Sequence, residues 1–191
     1  MRALVLADRD PHRLDALIAA ERPEAIVTLG DLDAWSLDAL RGFDGPKLGV
    51  YGNHCDGVYM RDLGIINLHG RAGRLRGVRY GGLEGCIAYK PIGLHLYTEQ
   101  QVDGILSDMP PVDVMVCHSP PRGINDEEGR AHRGFIALRE YVERTCPQML
   151  LHGHTAPREL VHRFGDTQIV YVKGHAMIDL PDRSRLAYDS Q

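Results

Sequence analysis

Short runs of apolar, often β-branched residues recur along the chain, and runs of this length bounded by polar turns are typical of buried β-strands. Through the first three quarters of the sequence they alternate with helical patterns, such as Leu14, Leu17 and Ile18 on one face. This alternation favours strand–helix units. The predicted strands are residues 3–7, 25–29, 48–51, 78–82, 113–117, 149–152, 160–163, 168–173 and 177–180.

Three segments show helical spacing of their apolar residues, and the pattern changes near the C-terminus. The predicted helices are 11–20, with Pro11 in the first turn, 98–108, with Thr98 as N-cap, and 134–145. After residue 157 strands follow one another with only the turns 165–166 and 181–182 between them, which predicts hairpins. The combination predicts an α/β fold: a layered α-β-β-α sandwich of two mixed sheets flanked by helices.

Composition narrows the class of protein without naming its activity. The 191 residues fit one domain, residues 1–191, and the net charge of −4 argues against binding a nucleic-acid polymer. No apolar run approaches the ~18 residues that a membrane helix needs. The cysteines form no Cys-x-x-Cys pair, so a reducing cytoplasm is the expected setting. They are Cys55, Cys86, Cys117 and Cys146.

Polar residues of the kind that bind metals follow the apolar runs in order along the chain. Carboxylates can grip or bridge cations, amide oxygen is a neutral ligand and imidazole is a common nitrogen ligand. Such a mixed oxygen and nitrogen set suits Mn, Fe, Ni or Zn and is too rich in nitrogen for Ca or Mg. The candidate ligands are Asp8, Asp10, Asp31, Asn53, His118 and His154.

Each of these motifs has an ordinary structural explanation when it stands alone. Gly30-Asp31 is a common turn, Asp8-Arg9-Asp10 is a plausible loop, and Gly52-Asn53-His54 suits a tight turn without any metal. Their order, each behind an apolar strand, favours a shared site, because open α/β sheets bind ligands at the carboxyl ends of their strands.

This series resembles the calcineurin-like metallophosphoesterase family, whose pattern is Asp-x-His, Gly-Asp, Gly-Asn-His-Asp/Glu, His and Gly-His-x-His. The resemblance covers nearly the whole chain, and residues 118–121 (His-Ser-Pro-Pro) are similar to the family's His-x-Pro-Pro. Three positions depart from the pattern: Asp10 stands for a histidine, Cys55 for a carboxylate and Ala156 for the last histidine.

The resemblance implies two divalent transition-metal sites of unequal strength. One ion would be held by Asp31, Asn53, His118 and His154. The other would be held by Asp8, Asp10 and a bridging Asp31, with no ligand from Ala156. We therefore expect one firmly bound ion and one that is weak or absent. Whether His175 or water fills the gap is left open, and His152 is expected to point away.

The resemblance also implies the reaction. We expect hydrolysis of a small phosphodiester, such as a cyclic or linear nucleotide, or of a phosphomonoester, by hydroxide that the metal activates. His54 maps to the general acid, and Asp56 is an open candidate for orienting its ring. The loop 119–133 carries basic residues that would grip phosphate or merely be solvated; they are Arg122, Arg130, His132 and Arg133.

The alternative is a non-catalytic scaffold on the same fold, similar to the retromer subunit that keeps a phosphoesterase fold but acts as an interaction platform. The missing ligand at Ala156 favours this alternative, whereas the retained ligands favour an enzyme. For partners we expect a small phosphorylated substrate and no membrane, and the sequence predicts no oligomeric state.

Overall fold

Two mixed β-sheets pack face to face with helices on both outer faces in the computed structural model, which describes residues 1–184. The strands are β1 (Arg2–Ala7), β2 (Ala25–Thr28), β3 (Lys47–Gly49), β4 (Ile66–Asn67), β5 (Ala72–Leu75), β6 (Val78–Leu83), β7 (Cys86–Ile87), β8 (Leu96–Tyr97), β9 (Val114–Cys117), β10 (Met149–His152), β11 (Val161–Phe164), β12 (Thr167–Tyr171) and β13 (Gly174–Asp179). The helices are α1 (Leu14–Glu21), α2 (Tyr59–Asp62), α3 (Glu99–Asp108) and α4 (Ile136–Thr145), and Asp38–Gly42 forms a 3₁₀ helix.

The two sheets have parallel centres and antiparallel edges. The first has the order β13-β1-β2-β3-β4, in which β1 to β4 are parallel and β13 runs antiparallel to β1. The second has the order β11-β12-β10-β9-β6-β5, with β11 and β5 antiparallel to their neighbours. A separate parallel pair joins β7 to β8. The predicted sandwich of two mixed sheets flanked by helices is confirmed.

Alternate residues of the strands divide between three apolar layers. Val5 of the first sheet and Val116 of the second lie in the core between the sheets. Their sequence neighbours Leu4 and Met115 face outward, where Leu4 packs in the layer beneath α1 and α2, and Met115 packs beneath α3 and α4. Because successive strand residues point to opposite faces, a strand covered on both faces is apolar throughout, as the sequence shows.

The first helix begins three residues later than its predicted start at Pro11. Arg13 has a φ of 54°, in the left-handed region, so regular helix starts only at Leu14. Pro11 is buried in the turn that precedes the helix. A proline with its fixed φ suits either a first helical turn or this kind of turn, and the sequence alone does not separate the two.

The predicted run of hairpins after residue 157 is half correct. Strands β11 and β12 form a hairpin around Gly165-Asp166, as predicted. Strand β13, predicted as 177–180, begins at Gly174 and crosses to the other sheet, where it pairs with β1. Ala176 and Ile178 pack against the core between the sheets, and this burial explains the crossing.

Side chains at the start of α3 cap both α3 and α4. Thr98 and Gln101 form a capping box, with the Thr98 hydroxyl 3.2 Å from the Gln101 amide nitrogen, as its predicted N-cap role requires. The Glu99 carboxylate accepts hydrogen bonds from the amides of Ile136 and Ala137. The start of α4 is thereby capped from outside, since Phe135 offers no cap of its own.

Four short strands, β4, β5, β7 and β8, were not evident from the sequence. Three are only two residues long, and β5 is mostly exposed, so pairing with neighbours rather than local pattern defines them. Within residues 1–184 no helix is long and apolar enough to cross a membrane.

Candidate metal centre

The candidate ligands of the sequence series lie just beyond the carboxyl ends of strands from both sheets. Asp8 directly follows β1, and His118 directly follows β9. Asp31 lies three residues after β2, and His154 lies two residues after β10. One ligand atom from each of Asp31, His118 and His154 lies within 4.8 Å of the other two. The structure therefore gathers a carboxylate and two imidazoles that are widely separated in sequence.

Three of the turns that carry these residues have unusual backbone conformations. Asp8, Asp31 and His154 have φ values of 59°, 53° and 68°. The left-handed region costs a non-glycine residue about 1–2 kcal/mol, and such strain is often concentrated at functional sites. Here the neighbouring turns hold it in place, since the Asp8 amide donates to the Gly30 carbonyl oxygen at 3.1 Å.

Glycines in two of the motifs leave room for the ligand carboxylates. A Cβ atom at Gly52 would lie 2.1 Å from Oδ1 of Asp31, and one at Gly153 would lie 2.7 Å from Oδ2 of Asp8. Real Cβ atoms do not approach oxygen so closely. These two glycines are therefore required by close packing of the carboxylates against the backbone.

The His118 ring is fixed in one orientation and one protonation state. Its Nδ1 lies 2.7 Å from the Leu29 carbonyl oxygen, so this nitrogen carries the proton and donates it. Burial lowers the pKa of His118 to about 4, so the ring is neutral near pH 7. Its Nε2 then presents a lone pair, 3.1 Å from Oδ1 of Asn53 and 3.5 Å from Oδ2 of Asp31.

The His154 ring is fixed through its Nε2 atom, whereas the His118 ring is fixed through Nδ1. Its Nε2 lies 2.8 Å from the Ala131 carbonyl oxygen and donates to it, which leaves the Nδ1 lone pair free. Burial lowers the pKa of His154 to about 4 as well, and the neighbouring His118 adds to this effect. The His118 and His154 rings lie 4.8 Å apart between centroids. Both imidazoles are thus unprotonated at the nitrogen available for a ligand.

Asp8 is a largely buried carboxylate with one oxygen that has no hydrogen-bond partner among residues 1–184. Its Oδ2 accepts the His154 amide at 2.7 Å, whereas its buried Oδ1 has no hydrogen-bond partner. Burial raises the pKa of Asp8 to about 7, the His154 amide opposes this effect, and the charge of Asp31 adds to it. A cation beside Asp8 and Asp31 would remove the cost of ionising both. The donor set fits a divalent transition metal.

Comparisons with known proteins show which architecture this is. No protein-family model matches the sequence, and no curated protein matches it. Solved structures match over most of the chain. TT1561 of Thermus thermophilus has 17% identity and a TM-score of 0.65, covering 96% of this chain and 90% of that one. Phosphopantetheinyl hydrolase from Mycobacterium tuberculosis has 12% identity and a TM-score of 0.60, covering 90% and 89%.

A third matching structure is named for two metal ions. A dimetal phosphatase from Danio rerio has 13% identity and a TM-score of 0.57, and the match covers 91% of this chain and 87% of that one. This protein has the calcineurin-like metallophosphoesterase fold. At these identities the likeness establishes the fold alone, so the chemistry of this metallophosphoesterase fold depends on its own residues.

Asp10 does not join the cluster of Asp31, His118 and His154. Its Oδ1 accepts hydrogen bonds from the Asp33 amide at 2.9 Å and from the Ser36 hydroxyl at 2.5 Å. The carboxylate therefore anchors the loop 33–36, and it lines a cavity of about 380 Å³ rather than the cluster. Its assignment as a metal ligand stays a prediction.

His54 lies on the same turn as Asn53, with an exposed side chain. Its amide donates to Oδ1 of Asp31 at 2.8 Å, so the turn and the carboxylate hold each other. Asp56, the open candidate for orienting the His54 ring, instead accepts the amides of Val58 and Tyr59 at the start of α2. The general-acid role of His54 stays a prediction, without support from Asp56.

Cys55 has a contribution that sequence reasoning missed. Its buried sulfur accepts the amides of Asp31 and Gly52, each at 3.2 Å, and lies 3.7 Å from the Tyr59 hydroxyl. It therefore joins the two turns that carry Asp31 and Asn53. The sequence does show a small polar side chain directly after Asn53 and His54. Its role could not be interpreted from the sequence, because the contact between this turn and the turn of Asp31 is formed only in the folded structure.

The histidines considered for the gap at Ala156 have other surroundings. His175 is exposed on β13, paired with Leu6, and therefore points to the outer face of the first sheet. His152 is fully buried, and its two ring nitrogens lie 3.0 Å from the Gly153 carbonyl and from Nδ2 of Asn125. His152 thus has its hydrogen bonds satisfied and faces away, as expected.

The side chain of one aspartate holds the loop 119–133 together through hydrogen bonds and an ion pair. Asp126 accepts the amides of Gly123 and Gly134, each at 3.0 Å, and forms an ion pair with Arg122 at 2.6 Å. Arg122 is therefore committed within the loop and is not free to grip phosphate. Arg130, His132 and Arg133 are exposed, and the His132 ring lies 5.1 Å from the His154 ring.

Proposed function

We propose that this protein is a metal-dependent phosphoesterase that hydrolyses a small phosphodiester, with a phosphomonoester as the second choice of substrate. The fold is shared with a phosphatase and a hydrolase of known structure. Asp31, Asn53, His118 and His154 would hold the firmly bound ion, and Mn, Fe, Ni and Zn suit this set. Asp8 and Asp31 would bind the second, more weakly held ion.

One observation carries this proposal: acceptor atoms of His118, Asn53 and Asp31 face one another. The lone pair of His118 Nε2 meets oxygens of Asn53 and Asp31 at 3.1 and 3.5 Å. Since the His118 proton is donated to Leu29, no hydrogen lies between these three atoms. Such an arrangement is costly in a protein unless a cation occupies it.

The chain's own residues prepare this centre for phosphoester hydrolysis. A divalent cation there supplies positive charge that lowers the pKa of water and stabilises charge on phosphate oxygens. Leu29 and Ala131 accept the outer nitrogens of His118 and His154, which fixes both rings with their lone pairs inward. His54, whose amide ties its turn to Asp31, would protonate the departing oxygen with its exposed ring.

The cavity beside Asp10 offers a place for the organic part of a diester. The cavity is lined by Asp10, two residues after Asp8 in sequence, and by Trp35, four residues after Asp31. His12 and Arg13 also line it. Trp35 is the single tryptophan of the chain and is 79% exposed. An exposed aromatic ring in the wall of a cavity that Arg13 also lines suits a planar group such as a nucleobase.

The test is hydrolysis of an aryl phosphodiester with added Mn²⁺ or Ni²⁺, comparing the wild type with Asn53→Ala and His118→Ala. We expect each substitution to lower kcat/KM by roughly 10²–10³-fold, because each removes a group that holds transition-state charge in place. His162→Ala, on β11 away from the centre, is the matched control and should retain full activity.

Inactivity of the wild type with every metal, or activity insensitive to both substitutions, would contradict the proposal. In the first case the metal content of the purified protein separates a scaffold, which would hold none, from an enzyme with an untested substrate class.

A further inference from the structure

The turn that ends in Ala156 lacks a side-chain ligand, yet a carboxylate lies against its backbone. The Ala156 amide donates to Oε1 of Glu127 at 3.0 Å. Glu127 belongs to the loop 119–133, nearly thirty residues earlier in the chain. Position 156 therefore contacts an acidic oxygen through its main chain, where the family pattern has a histidine side chain.

Glu127 is held in this place by the loop's own contacts. Its amide donates to the His132 carbonyl oxygen at 3.1 Å, and its Oε2 lies 3.6 Å from Nδ1 of His132. The His132 ring in turn lies 5.1 Å from the His154 ring. The segment from Glu127 to His132 thus forms one wall of the metal centre and presents a carboxylate along it.

The same loop is fastened to the turn that carries His154. The Asn125 carbonyl oxygen accepts the Thr155 hydroxyl at 2.8 Å, and the Ala131 carbonyl oxygen accepts the His154 ring at 2.8 Å. These contacts fix the loop on both sides of Glu127. Its carboxylate is therefore placed beside the turn by structure and not by chance contact of a surface side chain.

Asp8 contacts the same turn as Glu127. The His154 amide donates to Oδ2 of Asp8 at 2.7 Å, and the Ala156 amide donates to Oε1 of Glu127 at 3.0 Å. The two carboxylates therefore accept amides that are two residues apart in one turn. Oδ1 of Asp8 is buried and has no hydrogen-bond partner among residues 1–184.

We propose that Glu127 supplies the ligand that the turn lacks at Ala156, so that Asp8, Asp31 and Glu127 bind the second cation. This inference rests on the proposed metal centre. The resulting site is built from carboxylate oxygens, whereas the first ion has two imidazoles. Oxygen ligands favour harder ions such as Mn²⁺ or Mg²⁺, so the two positions would differ in the metal they prefer as well as in affinity.

The experiment is a calorimetric titration of metal-free protein with Mn²⁺, with bound metal counted by elemental analysis. The wild type should show a tight and a weaker class of site. Glu127→Gln should weaken the weaker class by about 10-fold or more and leave the tight class unchanged. Glu128→Gln, which alters the adjacent exposed carboxylate, is the matched control and should change neither class.

A rescue variant makes the test specific to position 156. In the Glu127→Gln background, Ala156→His should restore the weaker class, because it returns a ligand from the turn itself. The inference is overturned if Glu127→Gln and Glu128→Gln bind Mn²⁺ alike, or if the wild type shows one class of site only. Absence of all Mn²⁺ binding by the wild type would instead overturn the proposed function, and this inference with it.

Discussion

Two clusters of histidine and carboxylate lie near one another in this molecule, and they differ in the balance of hydrogen-bond donors and acceptors. In the candidate metal centre, Asp31, Asn53 and His118 present acceptors to one another. In the second cluster, buried Glu84 is surrounded by donors. Its Oε1 accepts from the Tyr97 hydroxyl at 2.5 Å and from Nδ1 of His95 at 3.0 Å.

In the second cluster both oxygens of Glu84 have donors, although the buried Nε2 of His95 has no hydrogen-bond partner among residues 1–184. Oε2 of Glu84 accepts from Nδ2 of Asn67 at 3.3 Å, and the Glu84 amide donates to Nδ1 of His69 at 3.2 Å. Burial would raise the pKa of Glu84, but the hydrogen bonds from His95 and Tyr97 outweigh it and hold the value at about 2. Similar residue types therefore form a structural network in one place and a candidate cation site in the other.

The difference shows that residue type alone does not identify a metal site. Two histidines and a carboxylate are present in both clusters, and both are largely buried. What separates them is whether both oxygens of the buried carboxylate already have protons to accept: those of Glu84 do, whereas Oδ1 of Asp8 has no partner among residues 1–184. Three predictions test this distinction, in order of decreasing effect on the free energy of unfolding.

The largest effect is expected from Glu84→Ala. This substitution leaves His95, Tyr97 and Asn67 as buried groups without their acceptor, and breaking such a network costs about 3–5 kcal/mol. Chemical denaturation of the metal-free protein measures the loss. Metal content per folded molecule should stay at the wild-type value, and a variant that lost its metal would show that the two clusters are not separate.

The second prediction concerns stabilisation by metal. Mn²⁺ at about 100 times its dissociation constant should raise the free energy of unfolding of the wild type by about 2.7 kcal/mol, because the ion binds only the folded state. His118→Ala should remove this gain, whereas His69→Ala should keep it although it lowers the starting stability. Equal gains in the two variants, measured by thermal denaturation, would mean that the ion binds elsewhere.

The smallest effect is a pH dependence that separates the two carboxylates. The pKa of Asp8 is raised to about 7 in the folded protein, so its ionisation opposes folding: stability is lost as the pH rises from about 4 to 7. Glu84 has a lowered pKa, so its contribution is present above about pH 4.5 and is lost as the pH falls towards 2.

Paired variants isolate these two contributions. Metal-free Asp8→Asn should exceed the wild type in stability at pH 7, and the gain should vanish near pH 4. Glu84→Gln should be less stable than the wild type at pH 7 and approach it at low pH. Parallel stability curves for the wild type and Asp8→Asn would show that Asp8 is already compensated in the metal-free state.

The sequence predicts those parts of the site that depend on strand order. Asp8, Asp31 and His118 could be placed at one edge because each follows an apolar strand, and parallel strands bring their carboxyl ends together. The sandwich followed from the same pattern. The turn chemistry of Gly52 and Gly153 was also visible, as glycine beside a candidate ligand.

The remaining features depend on contacts between distant segments. Nothing local indicates that Asp10 anchors the loop 33–36, that the sulfur of Cys55 joins two turns, or that β13 crosses to the first sheet. The loop 119–133 could be recognised as long and polar, but the contact of Glu127 with Ala156 spans nearly thirty residues. Such contacts exist only once both sheets have packed.

The hydrogen bond from the His154 amide to Asp8 joins residues 146 positions apart. During synthesis the N-terminal carboxylates emerge first and must wait for nearly the whole chain before the imidazoles that complete the centre exist. A nascent chain therefore offers loose carboxylates rather than a selective site. Selection of a metal by the proposed centre would therefore be a late event, governed by the ions available to the finished protein and not by those met during translation.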